Sequence, residues 1–575
     1  MARPPAGTGA VRTQPAGGEQ AAAGRAGRAG LMFSAVSIAV TFTVALLGPS
    51  LMEPPLPGRP RQPPWSLAAH PSGYLVVALT AAGVAAGSAG LALIIWATRQ
   101  GWTVSPRLIL AAGLIAAAAL TLVPPFGSSD HLSYAAYGRM AVTGHDPYTT
   151  TPAALARLGD PIARAVEDWR ASPSVYGSLA TAGQAFASLA GGTSVRLTVF
   201  ALSVLNLVAF ALTGLLLYRL ACGNRARQLR AALLWTCNPL LLQVLVAGAH
   251  VDSEAVVFAI GAMSVLCLRL PARPRLHSPV REALAGAAAG GLVGLGFAVK
   301  LTMVLVGAGL ALACVLAWRA RGQPDSGPGW RGPAPVLGGL ALGFCLTAGA
   351  SLLVWGPGSV GPALHAGSYV SIGSPWRAVR SLLRLGIGEG AAEGVVRSGA
   401  LLLAAVLLGL LVASIRRAEP GAWPAVPGLR AVSWSAGPEP SRAGLRPGGE
   451  AALLAPGAAF AVVFAWLVAW PYVLPWYDGL GWALLAALPW SRLDWLMLAR
   501  TAALALGYLP ARVIPLPAGL GWLETIVRTA ITPALLLVVI VAVVVMLWPR
   551  PARSRPEAAD GRAGGPVSRP HRLPS

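Results

Sequence analysis

The residues best suited to chemistry in this 575-residue chain stand at the ends of apolar segments. The stretch PPFGSSDHLSYAAYGRMAVTGHDPYTTTP places Asp130 a few residues beyond such a segment. A carboxylate there lies at a membrane–water boundary, where it can meet a substrate carried by lipid. Ser128, Ser129 and Asp130 precede a helix and can all cap it, which is the better reading of Asp130 taken alone. Asp146, before Pro147 and Tyr148, reads first as a turn former. The run GAHVDSE sets His250, Asp252 and Glu254 at one end of a helix hairpin, where ionisable groups are expensive and mark functional positions. The spacing of His250 and Glu254 resembles half a metal site, but no second histidine lies nearby and no metal is expected. Lys300 is the only lysine in the chain and sits in an apolar run, either snorkelling to headgroups or meeting an anion. Arg377, Arg380 and Arg384 recur at helical spacing, as a cationic stripe that suits a phosphate or anionic lipid heads. Trp470–Gly479 (WPYVLPWYDG) is an interfacial aromatic belt or a stacking surface for a sugar.

The elements that must position these residues are membrane helices. Hydrophobic residues make up 55% of the chain and charged ones 11%, against about 25% charged in an ordinary soluble domain. The mean hydropathy is +0.63. Apolar runs of roughly 20 residues, the length that crosses a bilayer, recur from end to end. They fall near 31–48, 73–97, 107–124, 195–218, 230–248, 253–270, 283–299, 301–319, 335–355, 397–414, 451–469, 477–490, 493–510 and 531–548. The run 283–319 is broken around Lys300, and 477–490 is short. Asp130–Val142 carries Leu132, Ala135, Ala136 and Met140 at helical spacing and is expected to form a juxtamembrane helix.

The net charge of +23 reads as orientation rather than nucleic-acid binding, because arginines gather in short loops and at the termini. The loops around 219–230, 271–282, 319–331, 416–446 and 549–572 share a side with the basic N-terminus only if 175–191 does not cross. That segment is therefore expected to be re-entrant or surface-lying. Both termini then lie in the cytoplasm, and the outward loops are 49–72, 125–194, 249–252, the point near 300, 356–396, 470–476 and 511–530, which together bring an acid, a histidine, a lysine and an arginine stripe to one face. Residues 1–29 and 549–575 are expected to be unstructured tails flanking one membrane domain, 30–548, with 416–450 as a Pro-, Gly- and Arg-rich linker. Cys222, Cys237, Cys267, Cys314 and Cys345 show no metal or redox spacing and read as small apolar residues.

Several of these stretches resemble motifs of the actinobacterial polyprenol-phosphate-mannose-dependent α-1,6-mannopyranosyltransferases, a family of GT-C membrane glycosyltransferases. The match comprises Asp130, Ser133, Tyr134, Gly138, Gly144, Asp146, Pro147 and Tyr148 of the first loop, then SPSVYG (Ser172–Gly177). It continues through NPLLLQVLVAGAHVDSE, Lys300 and LPWYDG, in the family's order, from about Pro124 to about Trp482. His131, Leu132, Tyr137, Ser178 and Val251 depart from the pattern, which bears on sugar and acceptor identity.

The resemblance implies an all-α polytopic fold of about fourteen transmembrane helices with an active site on the extracytoplasmic face of the plasma membrane. It implies a polyprenyl phosphomannose donor, a lipid-linked mannan, glycolipid or lipoglycan acceptor, and no cofactor. A β-linked donor and an α-linked product mean inversion, so one general base suffices and the paired carboxylates of glycoside hydrolysis are not needed. Asp130 fits that base. Lys300, Arg377, Arg380 and His250 fit donor-phosphate stabilisation, and Tyr134, Asp146, Tyr148, Tyr176, Asp252, Trp476 and Tyr477 fit substrate binding. Two other readings are a transporter or lipid flippase, for which internal repetition is expected and none is found, and a GT-C enzyme using another polyprenyl-phosphate sugar.

Overall fold

The computed structural model describes residues 17–59, 61–269, 278–320, 333–417 and 451–548. Among the described residues every regular element is a helix. Of the described helices nine are long and apolar enough to cross a membrane, and Pro106–Thr121 and Leu454–Ala469 are shorter apolar helices. The chain is thus a multi-pass membrane protein. The 416–450 linker and the C-terminal tail expected from the sequence lie mostly outside the described residues.

Helix boundaries follow local chemistry. Ser72, Ser194 and Asn224 accept backbone N–H groups at the starts of Gly73–Arg99, Val195–Leu220 and Arg225–Ala231. Small residues let helices approach closely: a side chain at Gly290 or Gly343 would run into the backbone of the facing helix of the pair Pro279–Phe297 and Ala334–Trp355. The first helix is longer than the hydropathy anticipates. It begins at Gly17, inside the segment expected to be unstructured. The reason is packing of small residues: Ala23 is buried, Gly27 lies against the Trp102 ring and Gly30 against Gly90 and Ile94.

The connections sort into two ends of the bundle. At one end, Gly127 N–H bonds the Met52 carbonyl (2.7 Å), Phe126 N–H the Ala247 carbonyl (2.9 Å) and Gly177 N–H the Val299 carbonyl (3.0 Å). Arg512 joins that end too, bonding the Ser50 carbonyl and the Glu167 carboxylate at 2.5 Å each. At the other end, Arg99 bonds the Ser491 carbonyl (3.1 Å). Buried there, Arg230 bonds Asp494 (2.6 Å) and the Leu485 carbonyl (2.8 Å) and lies over Trp490. Nearer the first end a second buried arginine, Arg500, pairs with Asp478 and bonds the Leu467 carbonyl. These intramembrane charges are held by partners, as low-dielectric burial demands.

The segment 175–191 contains the helix Ser178–Gly191, with both ends at the same end of the bundle. Its start is tied to Ala298 and Val299, and its exit leads to Ser194 and Arg196, which bond Gln62 and Pro57 of the 48–72 loop. With 14 residues it measures about 21 Å, short of the roughly 30 Å hydrocarbon thickness. The expected helix Asp130–Val142 is present, but it does not lie open on a membrane surface: Asp130 through Gly138 are all buried. Gly138 sits on the Gln184 carbonyl with no room for a side chain, so Ser178–Gly191 covers one face. The 143–177 loop covers more of it through Tyr137 to the Ser172 carbonyl (3.0 Å) and Arg139 to Asp160 (2.7 Å).

Candidate active site

Asp130 is the first residue of its helix, and it does not cap it. Its backbone N–H bonds Ser128 Oγ (3.0 Å), while Ser129 Oγ turns away to donate to Asp168 Oδ2 (2.8 Å). The Asp130 carboxylate is left free of capping duty. Burial, and then the neighbouring Asp168 carboxylate, push its carboxyl up to about 7, against the pull of Lys300 and the Trp169 indole. A carboxyl poised near neutral pH is suited to general-base work.

His250 faces it. The hairpin that carries it starts at Asn238, whose side chain caps Leu240 and Leu241, and closes through Ala249 in the left-handed region (φ 49°). Asn206 braces the turn by donating to the Leu245 (2.7 Å) and His250 (3.1 Å) carbonyls. His250 Nδ1 lies 2.6 Å from the Val244 carbonyl, so Nδ1 carries the proton. Nε2 is then a bare acceptor, 3.7 Å from Asp130 Oδ2. Burial holds the imidazole neutral by lowering its pKa to about 3.

Lys300 stands in the break between Pro279–Phe297 and Leu301–Arg319, in extended conformation. Its Nζ bonds Asp252 Oδ1 at 2.5 Å and lies 3.9 Å from the centre of the Tyr477 ring. Gly177 is what allows the SPSVYG stretch to dock here: a side chain at that position would collide with the Ala298 carbonyl. The LPWYDG stretch closes the site. Trp476 stacks on His250 (3.8 Å, 16°). Tyr134 and Tyr176 meet edge to face (5.1 Å), with their hydroxyls 3.3 Å apart. Five separated stretches thus supply Asp130 and Tyr134, Tyr176, His250 and Asp252, Lys300, and Trp476 and Tyr477 to one buried polar centre.

Other residues singled out in the sequence lie elsewhere. Asp146 forms the turn, accepting from Tyr148 N–H (2.9 Å) and the Thr149 hydroxyl (3.0 Å). The Tyr148 hydroxyl meets Thr181 (2.9 Å), and its ring meets Trp355. Arg380 pairs with Glu389 (2.9 Å) and Glu393 (3.0 Å), Arg384 pairs with Glu389 (3.3 Å), and Arg377 is exposed.

Asp168, Trp169 and Tyr508 were not picked out in the sequence, and Tyr472 only as part of the aromatic stretch Trp470–Gly479. For Asp168 and Trp169 the only signal was the adjacent acidic pair Glu167–Asp168. Among the described residues no group of three or more His, Cys, Asp or Glu is arranged to hold a metal ion.

Comparison with known proteins places the part of the chain that carries Asp130, Tyr134, Tyr176, His250, Asp252 and Lys300 in a family. Residues 28–316, just over half of the chain, match the family described as Alpha-(1->6)-mannopyranosyltransferase, N-terminal domain. The chain is 29% identical over 291 residues to a probable alpha-(1->6)-mannopyranosyltransferase of Mycolicibacterium smegmatis, covering 47% of this chain and 49% of that protein. It is 29% identical over 154 residues to alpha-(1->6)-mannopyranosyltransferase A of Corynebacterium glutamicum, covering 27% of this chain and 31% of the relative. With an alpha-(1->6)-mannopyranosyltransferase of Mycobacterium tuberculosis the identity is 34% over 133 residues, 23% of this chain and 22% of the relative. The match therefore spans about half the length of the first relative and less of the others. No solved structure matches the chain. The chain belongs to the alpha-(1->6)-mannopyranosyltransferase family.

Proposed function

We propose that this protein is an inverting mannosyltransferase that moves mannose from a polyprenyl phosphomannose donor to a mannan-type, lipid-linked acceptor at the outer face of the plasma membrane. The observation that carries the reading is the meeting of Asp130 and Lys300 in one buried centre, with Asp252 and Tyr477 holding the lysine. In this reading the acceptor hydroxyl attacks the anomeric carbon, the bond from that carbon to the phosphate oxygen breaks, and Asp130 takes the hydroxyl proton. The polyprenyl phosphate leaves as an anion, and Lys300 stabilises the charge that develops on it. Displacement of a β-linked phosphate by the acceptor yields an α-glycoside.

In this reading His250 acts on the base rather than on the phosphate. With its Nε2 unprotonated it offers no hydrogen bond to a phosphate oxygen, and its place beside Asp130 makes it a positioning residue for the base. Arg380 and Arg384 are already paired with carboxylates, so phosphate binding by the stripe falls to Arg377 or requires those pairs to open. The outer-face placement rests on the arginines clustered at the opposite end, at Arg219, Arg225, Arg227 and Arg230. The α-1,6 linkage and the mannose itself are proposed from the family. The test is transfer of label from polyprenyl phosphomannose, and none from a nucleotide-linked mannose, to a soluble mannoside by purified protein.

A further inference from the structure

We infer that Trp169, backed by Tyr369, is the stacking platform on which the acceptor's sugar ring rests while Asp130 deprotonates it. The inference deepens the proposed transferase reading by assigning an acceptor subsite to residues of two different loops.

Trp169 is 41% exposed although Asp168, the residue before it, is bonded to Ser129 (2.8 Å) and Ser133 (3.3 Å) on either side of the buried Asp130. Its backbone has φ 57°, a left-handed conformation that a bulky residue adopts only when its surroundings impose it. Strain of that kind gathers where a side chain must be aimed at a ligand or a catalytic group. One face is supported, because the Tyr369 ring lies parallel to it (6.1 Å, 13°) and is itself buttressed edge-on by Tyr472 (5.9 Å). Tyr369 belongs to the second outer loop, which is fastened to the site by Ser371: its N–H bonds the Pro471 carbonyl (3.2 Å) and its hydroxyl the Val473 carbonyl (2.9 Å). An interfacial aromatic belt needs neither a strained backbone nor a second ring fixed behind it.

The chemistry beside the ring matches a sugar. A pyranose offers an apolar C–H face to an aromatic surface and hydroxyls at its rim. Asp168, the preceding residue, accepts from Ser129 with one carboxylate oxygen, which leaves the other for a rim hydroxyl. An acceptor on Trp169 therefore has its reactive hydroxyl next to Asp130, while the donor phosphate is held deeper, at Lys300.

Binding of α-1,6-mannobiose to the detergent-purified full chain, measured by calorimetry without donor, tests the platform. Wild type and Trp169→Phe should bind with similar affinity, because both present a ring. Trp169→Ala should bind about tenfold more weakly while eluting as the same monodisperse species. In turnover assays Trp169→Ala should raise KM for the mannoside and leave KM for the donor within about twofold. A wild type that binds no mannobiose, an alanine variant that binds as well as wild type, or a phenylalanine variant as weak as alanine would each overturn the platform. A wild type that binds mannobiose through Trp169 yet accepts no mannose from polyprenyl phosphomannose would instead remove the donor reading and leave the platform standing.

Discussion

His250 Nε2 lies 3.7 Å from Asp130 Oδ2 and has no proton to give it, because the ring's proton on Nδ1 is engaged with the Val244 carbonyl. A lone pair facing a carboxylate favours the protonated carboxyl, and burial and Asp168 act in the same direction. The site thus holds its base close to the balance between its two forms, and Trp476 stacked on the imidazole keeps the ring from turning.

The pH dependence follows with a definite sign. A base is active only when deprotonated, so kcat/KM should rise with pH through about 7, where Asp130 titrates. Asp168→Asn keeps an acceptor for Ser129 and removes the like charge beside Asp130. The ascending limb should then move to lower pH. A profile that falls between pH 6 and 8, or a limb that Asp168→Asn leaves in place, contradicts this arrangement.

Lys300 and Asp252 should behave as a unit. Lys300→Met removes the cation and should cut transfer strongly with a raised KM for the donor, since no other lysine exists to replace it. Asp252→Asn leaves the cation but loosens its hold at Asp252 Oδ1, so a smaller defect of the same kind is expected. Unchanged donor KM in Lys300→Met would reduce the residue to an anchor at the membrane interface. Gly177→Ala probes the same place indirectly: its methyl collides with the Ala298 carbonyl, two residues before Lys300, and should lower activity through the displaced turn.

At the other end of the bundle Arg230 and Asp494 are both fully buried. Asp494→Asn strands a buried guanidinium and should cost roughly 3–5 kcal/mol of stability, read as a lower unfolding temperature in detergent. The pair is distant from the sugar chemistry, so KM values of the protein that remains folded should be unchanged.

Sidedness is open to direct labelling. In a cysteine-free background, Leu158→Cys should react with an impermeant maleimide on intact cells, and Ala226→Cys only after permeabilisation. Both positions are exposed, so access decides the result. The reverse pattern would put the site on the cytoplasmic face.

The sequence was most legible where apolar runs end abruptly. Asp130, His250 and Lys300 stand out there because a charge or an imidazole interrupts a hydrophobic pattern, and motif order linked them before any geometry did. Trp169 and Asp168 sit in a loop without apolar period, and only the fold of 143–177 back over the Asp130 helix brings them to the base. Arg380 and Arg384 read as a free stripe because Glu389 and Glu393 lie beyond the turn at Gly388, outside the helical spacing that revealed the arginines. The helical start at Gly17 was hidden by composition, since Ala- and Gly-rich sequence serves tight helix packing as well as it serves an unstructured tail.

The most direct measurement is transfer of labelled mannose from polyprenyl phosphomannose to a soluble mannoside by purified wild-type and Asp130→Asn protein. The carboxylate makes no cap in this structure, and asparagine matches its shape. Asp130→Asn should therefore express, stay monodisperse and bind donor like wild type, while its transfer rate falls by about 10²- to 10⁴-fold. Wild-type turnover by Asp130→Asn would contradict the account at its centre, by removing the base around which the site has been read.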